Sequence, residues 1–259
     1  MRRWLTFAIA LLLPARWKPP LLRALGHRVH RRARIGSSLL VVERLVLGAD
    51  ARIASFSLLA CRRIVMRPRA RIGIGNIVRG PLDLWLGPRA AIGNRNVITR
   101  AAHPVSFGPA QLRIGEGGKL TSAHRVDCMQ SVRLGRYSTV AGAGSQLWTH
   151  GYAHAPDGAG RARIDGRIRI GDHVYVGSQC CLSAGITIGD AVTVGGHSSV
   201  ATDLLAPGLY ISQKLRYLPY APYDRLSRLP RVERAGLIEP VHWKAGAAPD
   251  LLVGAADES

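Results

Sequence analysis

The sequence predicts an all-β solenoid, and three observations carry that expectation. Ile170, Val176, Leu182, Ile188, Val194 and Val200 stand at strict six-residue intervals, and Ile164 extends the run to seven. Gly171, Gly177, Gly189 and Gly195 each follow one of these aliphatic residues directly. The same ruler works upstream, through Ile35, Val41, Leu47, Ile53 and Leu59 and, after a slip of one residue, Met66, Ile72, Val78 and Leu84. A period of six is neither the 3.6 of a helix nor the 2 of a plain strand. It means that one flat side of a coil repeats, with one aliphatic side chain pointing inward each time. Three such sides close a turn of about 18 residues.

Taken in order, residues 1–34 form an N-terminal segment outside the repeat. Arg2 and Arg3 precede an apolar run from Trp4 to Leu13 that is too short to span a bilayer. No small-residue cleavage site of a signal peptide follows it. Pro14, Pro19 and Pro20 break the segment, and Leu21–Leu25 reads as a short helix stopped by Gly26. A repeat array needs a cap on its open end, while apolar residues flanked by arginine also suit an anionic membrane surface. The solenoid proper spans 35–216, with phase slips absorbed as bulges at corners through Leu86, Ile92, Ile98, Ile114, Leu120, Val126, Val132, Leu134 and Val140. It is interrupted near 101–111 and again at 147–163, LWTHGYAHAPDGAGRAR. Loops that leave a rigid scaffold are where chemistry is displayed. The second one carries Trp148, His150, Tyr152, His154 and Asp157. Residues 217–259 form a tail with a helical pattern over 224–237 and an Ala-, Gly- and acid-rich end.

Composition narrows the classes. A chain of 259 residues, 47% hydrophobic, can bury one long thin core. Its formal net charge is +20, almost all of it from arginine, since Lys18, Lys119, Lys214 and Lys244 are the only lysines. This excess reads as arginine-rich composition on a solvated surface or as attraction to anions: a phosphorylated cofactor, an anionic glycan or a lipid headgroup. The basic residues are scattered, without aromatic interleaving, so nucleic acid is not expected. Cys61, Cys128, Cys180 and Cys181 form no CxxC pair and no zinc spacing. Reduced, packed thiols favour the cytosol.

The stretch IGDHVYVGSQCCLSAGITIGDAVTVGGHSSVATD, Ile170 to Asp203, resembles the C-terminal coils of the hexapeptide-repeat acyltransferases. The resemblance runs from Ile35 to about Leu218, and is closest in character to the sugar and capsule O-acetyltransferases. It implies a left-handed parallel β-helix, a homotrimer with sites between subunits, and acetyl-CoA as co-substrate, with no metal. It also implies roles. His150, entered from Thr149, takes the place of the general base that removes a proton from the acceptor hydroxyl; an imidazole titrates near working pH. His154 fits that spacing less well and, with Trp148 and Tyr152, is assigned to the acceptor. Ser178 matches the position whose backbone N–H faces the developing oxyanion. Gly196 and Tyr175 match positions along the cofactor arm, with Ser183, Ala184 and Gly185 as small residues on the same wall. Lys214 and Arg216 fall where the family places basic residues toward the phosphates. The chain departs from the family at Thr202, where lysine is usual, and at Ser212-Gln213-Lys214, which replaces a G-x-P-x-K motif.

These implications converge on an O-acetyltransferase moving acetyl from acetyl-CoA to a sugar hydroxyl in surface-polysaccharide or related glycan assembly. It would be cytosolic, with peripheral contact on the inner face of the membrane and a lipid-linked glycan among the acceptors that fit. An amino-sugar N-acetyltransferase uses the same base. Two other classes share the coil: a non-catalytic β-helix scaffold, and a γ-carbonic-anhydrase-like metal enzyme drawing on His124, His150, His154 and His173. The close pair there is separated by three residues rather than that family's four.

Overall fold

A computed structural model describes residues 2–212, 228–232, 236–237 and 240–244. It shows a parallel β-helix of triangular cross-section. The first side is a nine-stranded sheet that starts at Arg34–Ile35 and ends at Gly208–Tyr210. The other two sides belong to one thirteen-stranded sheet, because Leu39–Leu47, Leu58–Met66 and Ile77–Leu86 run unbroken through the corner between them. From Val97–Thr99 onward the second and third sides are carried by separate short strands. Register measures the coil. Ile35 pairs with Ile53 and Val176 with Val194, 18 residues apart in both cases. Val140 pairs with Val176, 36 residues on, so one coil carries an insertion as long as a second coil. Ile92 pairs with Leu120, 28 residues on, which locates the shorter interruption.

The core is one cluster of aliphatic residues stacked in files from the three sides along the axis, including Ile35, Ile53, Ile72, Ile92, Val176, Leu182, Ile188 and Val194. The six-residue ruler errs at two places. Val41 is only half-buried, and Leu40 and Val42 point inward instead, because a strand that rounds a corner without a break shifts the alternation. Ile164 is not a coil residue at all: it sits on the protruding hairpin and packs with Ala153 and Ala162. The slip between Leu59 and Met66 falls at the irregularity between Cys61 and Arg63; a second irregularity, between Leu120 and Ser122, leaves the interval from Leu120 to Val126 at six. The glycines after the aliphatic residues have a different reason from turn geometry. The left-handed corner positions are held by residues such as Gln179 (φ 56°) and His197 (φ 58°). Gly177 is required because a Cβ there would lie 2.5 Å from the Gly196 nitrogen of the next coil.

A polar column runs inside the corner between the first and second sides. The backbone N–H of each member donates to the side chain in the coil below: Ser57 to Ser38 (3.1 Å), Asn76 to Ser57 (3.0 Å), Asn96 to Asn76 (2.9 Å), His124 to Asn96 (3.0 Å), Ser145 to His124 Nδ1 (3.1 Å) and Cys180 to Ser145 (3.1 Å). Buried polar atoms are tolerable only when paired, and this ladder pairs them coil by coil. His124 must be neutral at Nδ1 to accept its bond, and burial pulls its pKa down from 6.5 to about 4. His27 is similar: Nδ1 accepts from Leu45 N–H, Nε2 meets Thr6 Oγ1 at 2.8 Å, and burial, then Arg2, lowers its pKa. A depressed histidine contributes stability that is complete above its unfolded pKa and is lost as pH falls toward the folded value. The melting temperature is therefore expected to drop between pH 6.5 and 4, with a slope of about 1.4 kcal/mol per pH unit from His124 and a further loss in the same direction from His27. His124→Asn, which can serve the ladder as Asn96 does, should flatten that slope; an unchanged slope by calorimetry would remove His124 as its source.

The N-terminal end is plugged by two helices, α1 (Arg2–Leu12) and α2 (Lys18–Ala24). Ala10 and Leu22 enter the core, and the fully buried Lys18 donates to Ala10 O (2.7 Å) and Gly36 O (2.9 Å). The second helix begins at Lys18 rather than Leu21: Pro19 and Pro20 occupy its first turn, where the missing N–H groups have no intrahelical partner to lose. Only Thr6 and Ala10 of α1 are buried, while Trp4, Leu5 and Leu12, with Trp17 and Leu21 nearby, are exposed. No helix of the described residues is long and apolar enough to cross a membrane.

Candidate active site

Both interruptions leave the solenoid at the corner between the second and third sides. Leu147 still belongs to the coil, paired with Leu182 and buried, so the protrusion is one residue shorter at its start than the sequence suggested. The chain leaves after it, forms an antiparallel hairpin of His150–His154 with Arg161–Asp165, and returns at Gly166, whose N–H bonds Thr149 O at 2.8 Å. Alternation places His150, Tyr152, His154, Arg161, Arg163 and Asp165 on one face of the hairpin. Val241–Trp243 adds a parallel third strand beside Arg161–Asp165. Trp243 meets Phe107 of the shorter interruption edge-on at 6.5 Å. Arg163 also donates to Val105 O, so the two interruptions and the C-terminal strand form one lobe on one corner.

His150 stands at the root of this lobe. Its Nδ1 lies 2.9 Å from Oδ2 of Asp127, at the end of the strand in the coil below. The same oxygen accepts from Thr149 N–H at 3.0 Å and from Thr149 Oγ1 at 2.5 Å, and Gln130 N–H holds that hydroxyl at 3.0 Å. The carboxylate is nearly buried and the imidazole about one-fifth exposed, at 8% and 21% of side-chain area. A carboxylate on Nδ1 fixes the tautomer with its proton there, which leaves the Nε2 lone pair for chemistry. Trp148 and Tyr152 stand edge-on to the imidazole, with ring centroids 6.2 and 5.7 Å away. Arg161 lies over Tyr152 at 4.7 Å.

Behind the histidine is a second, fully buried pair. Arg163 Nε donates to Asp165 Oδ1 at 2.7 Å, and Gln130 Nε2 reaches Asp165 Oδ2 at 3.1 Å. The two side chains retain 1% and 0% of their exposure. Burial pushes the Asp165 carboxyl up, against the opposing pull of Arg163, Gln130 and His150.

The residues expected from sequence fall at two corners, not one. Trp148, His150, Tyr152 and His154 lie on the lobe, and Ala184 sits in the corner turn of the next coil, directly above Thr149 by register with Leu147↔Leu182. Tyr175 projects from the first side, half exposed, in a column with Thr139 and Thr193. Ser178 and Gly196 stack at the corner between the first and second sides, where a Cβ on Gly196 would lie 3.3 Å from Ser178 O. The second side separates these groups within one chain, about 15–20 Å at ~3.3 Å per residue. Lys214, Arg216 and most of the tail from 217, including the helical pattern over 224–237, lie outside the described residues.

Asp127, Gln130, Arg163 and Asp165 were missed in the sequence. Asp127 had one usable signal: with Val126 in register with Leu147, it lies one coil beneath Trp148. Among the described residues, no group of three His, Cys, Asp or Glu side chains could hold a metal ion.

No protein-family model matches the chain. Among solved structures it is similar to the UDP-N-acetylglucosamine acyltransferase of Francisella novicida, at 14% identity and a TM-score of 0.48, over 68% of this chain and 59% of that one. The match thus spans less than two thirds of that protein's length. It is also similar to AntD, an N-acyltransferase from Bacillus cereus solved with dTDP and coenzyme A, at 14% identity and a TM-score of 0.41, over 74% and 89% of the two chains. The polySia-specific acetyltransferase NeuO gives 14% identity and a TM-score of 0.33, over 66% and 76%. What the fold and site define from this chain's own residues is a parallel β-helix that presents a carboxylate-held histidine at the root of a protruding hairpin.

Proposed function

We propose that the protein is an acetyl-CoA-dependent O-acetyltransferase acting on a sugar hydroxyl, within surface-polysaccharide or related glycan assembly. The observation that carries this reading is the Asp127–His150 pair, which leaves Nε2 with no hydrogen-bond partner among the described residues, between two aromatic edges. Nε2 accepts the proton of the acceptor hydroxyl as its oxygen attacks the thioester carbonyl. The C–S bond then breaks, and coenzyme A leaves as thiolate, which takes up the proton. Trp148, Tyr152 and His154 offer the flat and polar surface that a sugar ring needs beside such a base. Ser178 N–H faces the oxyanion, Tyr175, Ala184 and Gly196 border the donor arm, and Lys214 with Arg216 meets its phosphates.

Because the Ser178 corner and His150 stand at opposite ends of the second side, a working site takes one from each of two copies. A symmetric homotrimer, coiled in the left-handed sense of the resembling family, supplies that arrangement. The test is thiol release from acetyl-CoA with a panel of sugars and lipid-linked glycans, followed by mild alkali, which removes an O-acetyl ester and spares an N-acetyl amide. An alkali-stable product would move the protein to the amino-sugar N-acetyltransferases. Absence of release with every acceptor would reject acyl transfer.

The exposed Trp4, Leu5 and Leu12, on the same N-terminal segment as Arg2, Arg3 and Arg16, support a peripheral contact with an anionic membrane. The full chain is expected to sediment with phosphatidylserine vesicles at low salt. The Trp4→Ser/Leu5→Ser/Leu12→Ser variant should stay in the supernatant, and equal sedimentation of both would remove the helix as the anchor.

A further inference from the structure

The third side of the solenoid carries an unbalanced column of charge. Arg113, Arg133 and Arg169 occupy the same outward position on three successive coils, Arg113 in register with Arg133 and Arg133 with Arg169. Trp85 continues the column below and Thr187 above. Neighbouring strands are about 4.8 Å apart, and like charges set directly opposite each other weaken a sheet. Among the described residues no carboxylate forms an ion pair with any of the three. Of the acids lining the surface beside them, Asp83 binds Arg62 at 2.9 and 3.0 Å and Arg63 at 2.7 Å, Asp172 binds Arg136 at 2.8 Å, and Asp190, at the far corner, accepts from the Asp172 N–H at 2.6 Å. Arg113 is held over the Trp85 ring at 4.2 Å, which leaves Arg133 and Arg169 as the unopposed centre.

The surface around them is concave. A cleft of about 380 Å³ is lined by Arg62, Arg63, Asp83, Arg133, Arg167 and Arg169. A second, of about 400 Å³, shares Arg133 and Arg169 and continues to Gly135, Gly171, Asp172 and Asp190 at the far corner, so the cationic part of the surface is its middle. The two make a groove across the whole side, with the two arginines as its floor. A two-fold contact of this side with its own copy would set like columns face to face, so it is a poor surface for an isologous dimer. Guanidinium groups spaced one coil apart suit ligands with two or more anionic centres a few ångströms from each other, each gripped by a two-pronged contact.

We propose that the third side is an anion-binding groove for closely spaced phosphate or carboxylate groups, floored by Arg133 and Arg169 and walled by Arg167. Two sources carry that chemistry, the diphosphate of an activated or lipid-linked sugar and the acid groups of a glycan chain. The groove opens at Ser131 and Arg167, next to Gln130 and Gly166 at the hairpin's base. An anionic molecule held there lies beside the lobe, but its binding is independent of acyl transfer and is measured without turnover.

The experiment is calorimetric titration of the full-length protein with inorganic pyrophosphate and, separately, with oligogalacturonate. Arg133→Gln/Arg169→Gln is compared with Arg34→Gln/Arg52→Gln, which removes an equal charge from a column on the first side. Binding to the unaltered protein should weaken as salt rises. The third-side variant should lose about tenfold or more in affinity, and the first-side variant less than about twofold. The third-side variant should also melt no lower than the unaltered protein, since it relieves repulsion. Tighter binding of pyrophosphate identifies the diphosphate source, and tighter binding of oligogalacturonate the acidic glycan. Failure of both probes to bind, equal losses in the two variants, or a lowered melting temperature in the third-side variant would overturn the proposal.

Discussion

His150→Ala should abolish acetyl transfer by two or more orders of magnitude while leaving the melting temperature nearly unchanged. A general base contributes about 10²–10⁴ in rate, and the His150 side chain makes one hydrogen bond among the described residues, at a partly exposed position, so its loss bears on chemistry more than on folding. Asp127→Asn tests the same centre from behind. The amide keeps an oxygen for Thr149 but is indifferent to the imidazole tautomer, so kcat should fall with KM nearly constant. His154→Ala, on the same hairpin face but further from the root, should lose less. The assay is thiol release from acetyl-CoA under saturating acceptor. An active His150→Ala beside an inactive His154→Ala would transfer the role four residues along the strand.

The architecture was legible because a solenoid writes its core into sequence at a fixed interval. Every coil must send aliphatic side chains to the same axis, so Val176, Leu182, Ile188 and Val194 appear on one ruler and are all buried. The ruler failed where the geometry departs from that rule. Leu39–Leu47 rounds a corner as one strand, so Val41 lost its place to Leu40 and Val42. Ile164 kept the interval by coincidence within an inserted hairpin. His150 stood out because an imidazole in an insertion is visible against regular coils. Its partner was not visible, because Asp127 lies 23 residues upstream and meets it only after the coil closes. The resemblance implied a site between subunits, but not which residues stand apart: Tyr175, Ser178 and Gly196 follow His150 by 25 to 46 residues, and only the path of the coil puts the length of the second side between Ser178 and His150. The arginine columns are legible in retrospect: Arg34, Arg52 and Arg71 recur at coil intervals, but a charge excess read as a total conceals its arrangement.

Arg163→Ala should be among the most destabilising single substitutions in the protein. It would leave the Asp165 carboxylate, with 0% of its side chain exposed, paired only with Gln130. Breaking a buried pair by removing one partner costs about 3–5 kcal/mol, since the remaining charge has neither water nor counter-ion. Burial already pushes the Asp165 pKa up with Arg163 in place, so without it the carboxyl should take up a proton when folded. Folding of the variant would then bind a proton, and its stability should recover as pH falls. That is opposite in sign to the acid sensitivity set by His124 and His27. The damage should be local before it is global, because Arg163 ties the hairpin to Val105 of the other interruption, while the coils beneath have their own core. Hydrogen exchange should therefore show loss of protection in 150–165 and 241–243 ahead of the solenoid strands. Arg163→Met/Asp165→Leu, which removes both charges and keeps the volume, should restore most of the stability. If the single variant melts with the unaltered protein in urea, the pair is not buried in solution and the lobe is looser than its contacts imply. If the double variant is no better than the single, Arg163 acts through Val105 rather than through Asp165.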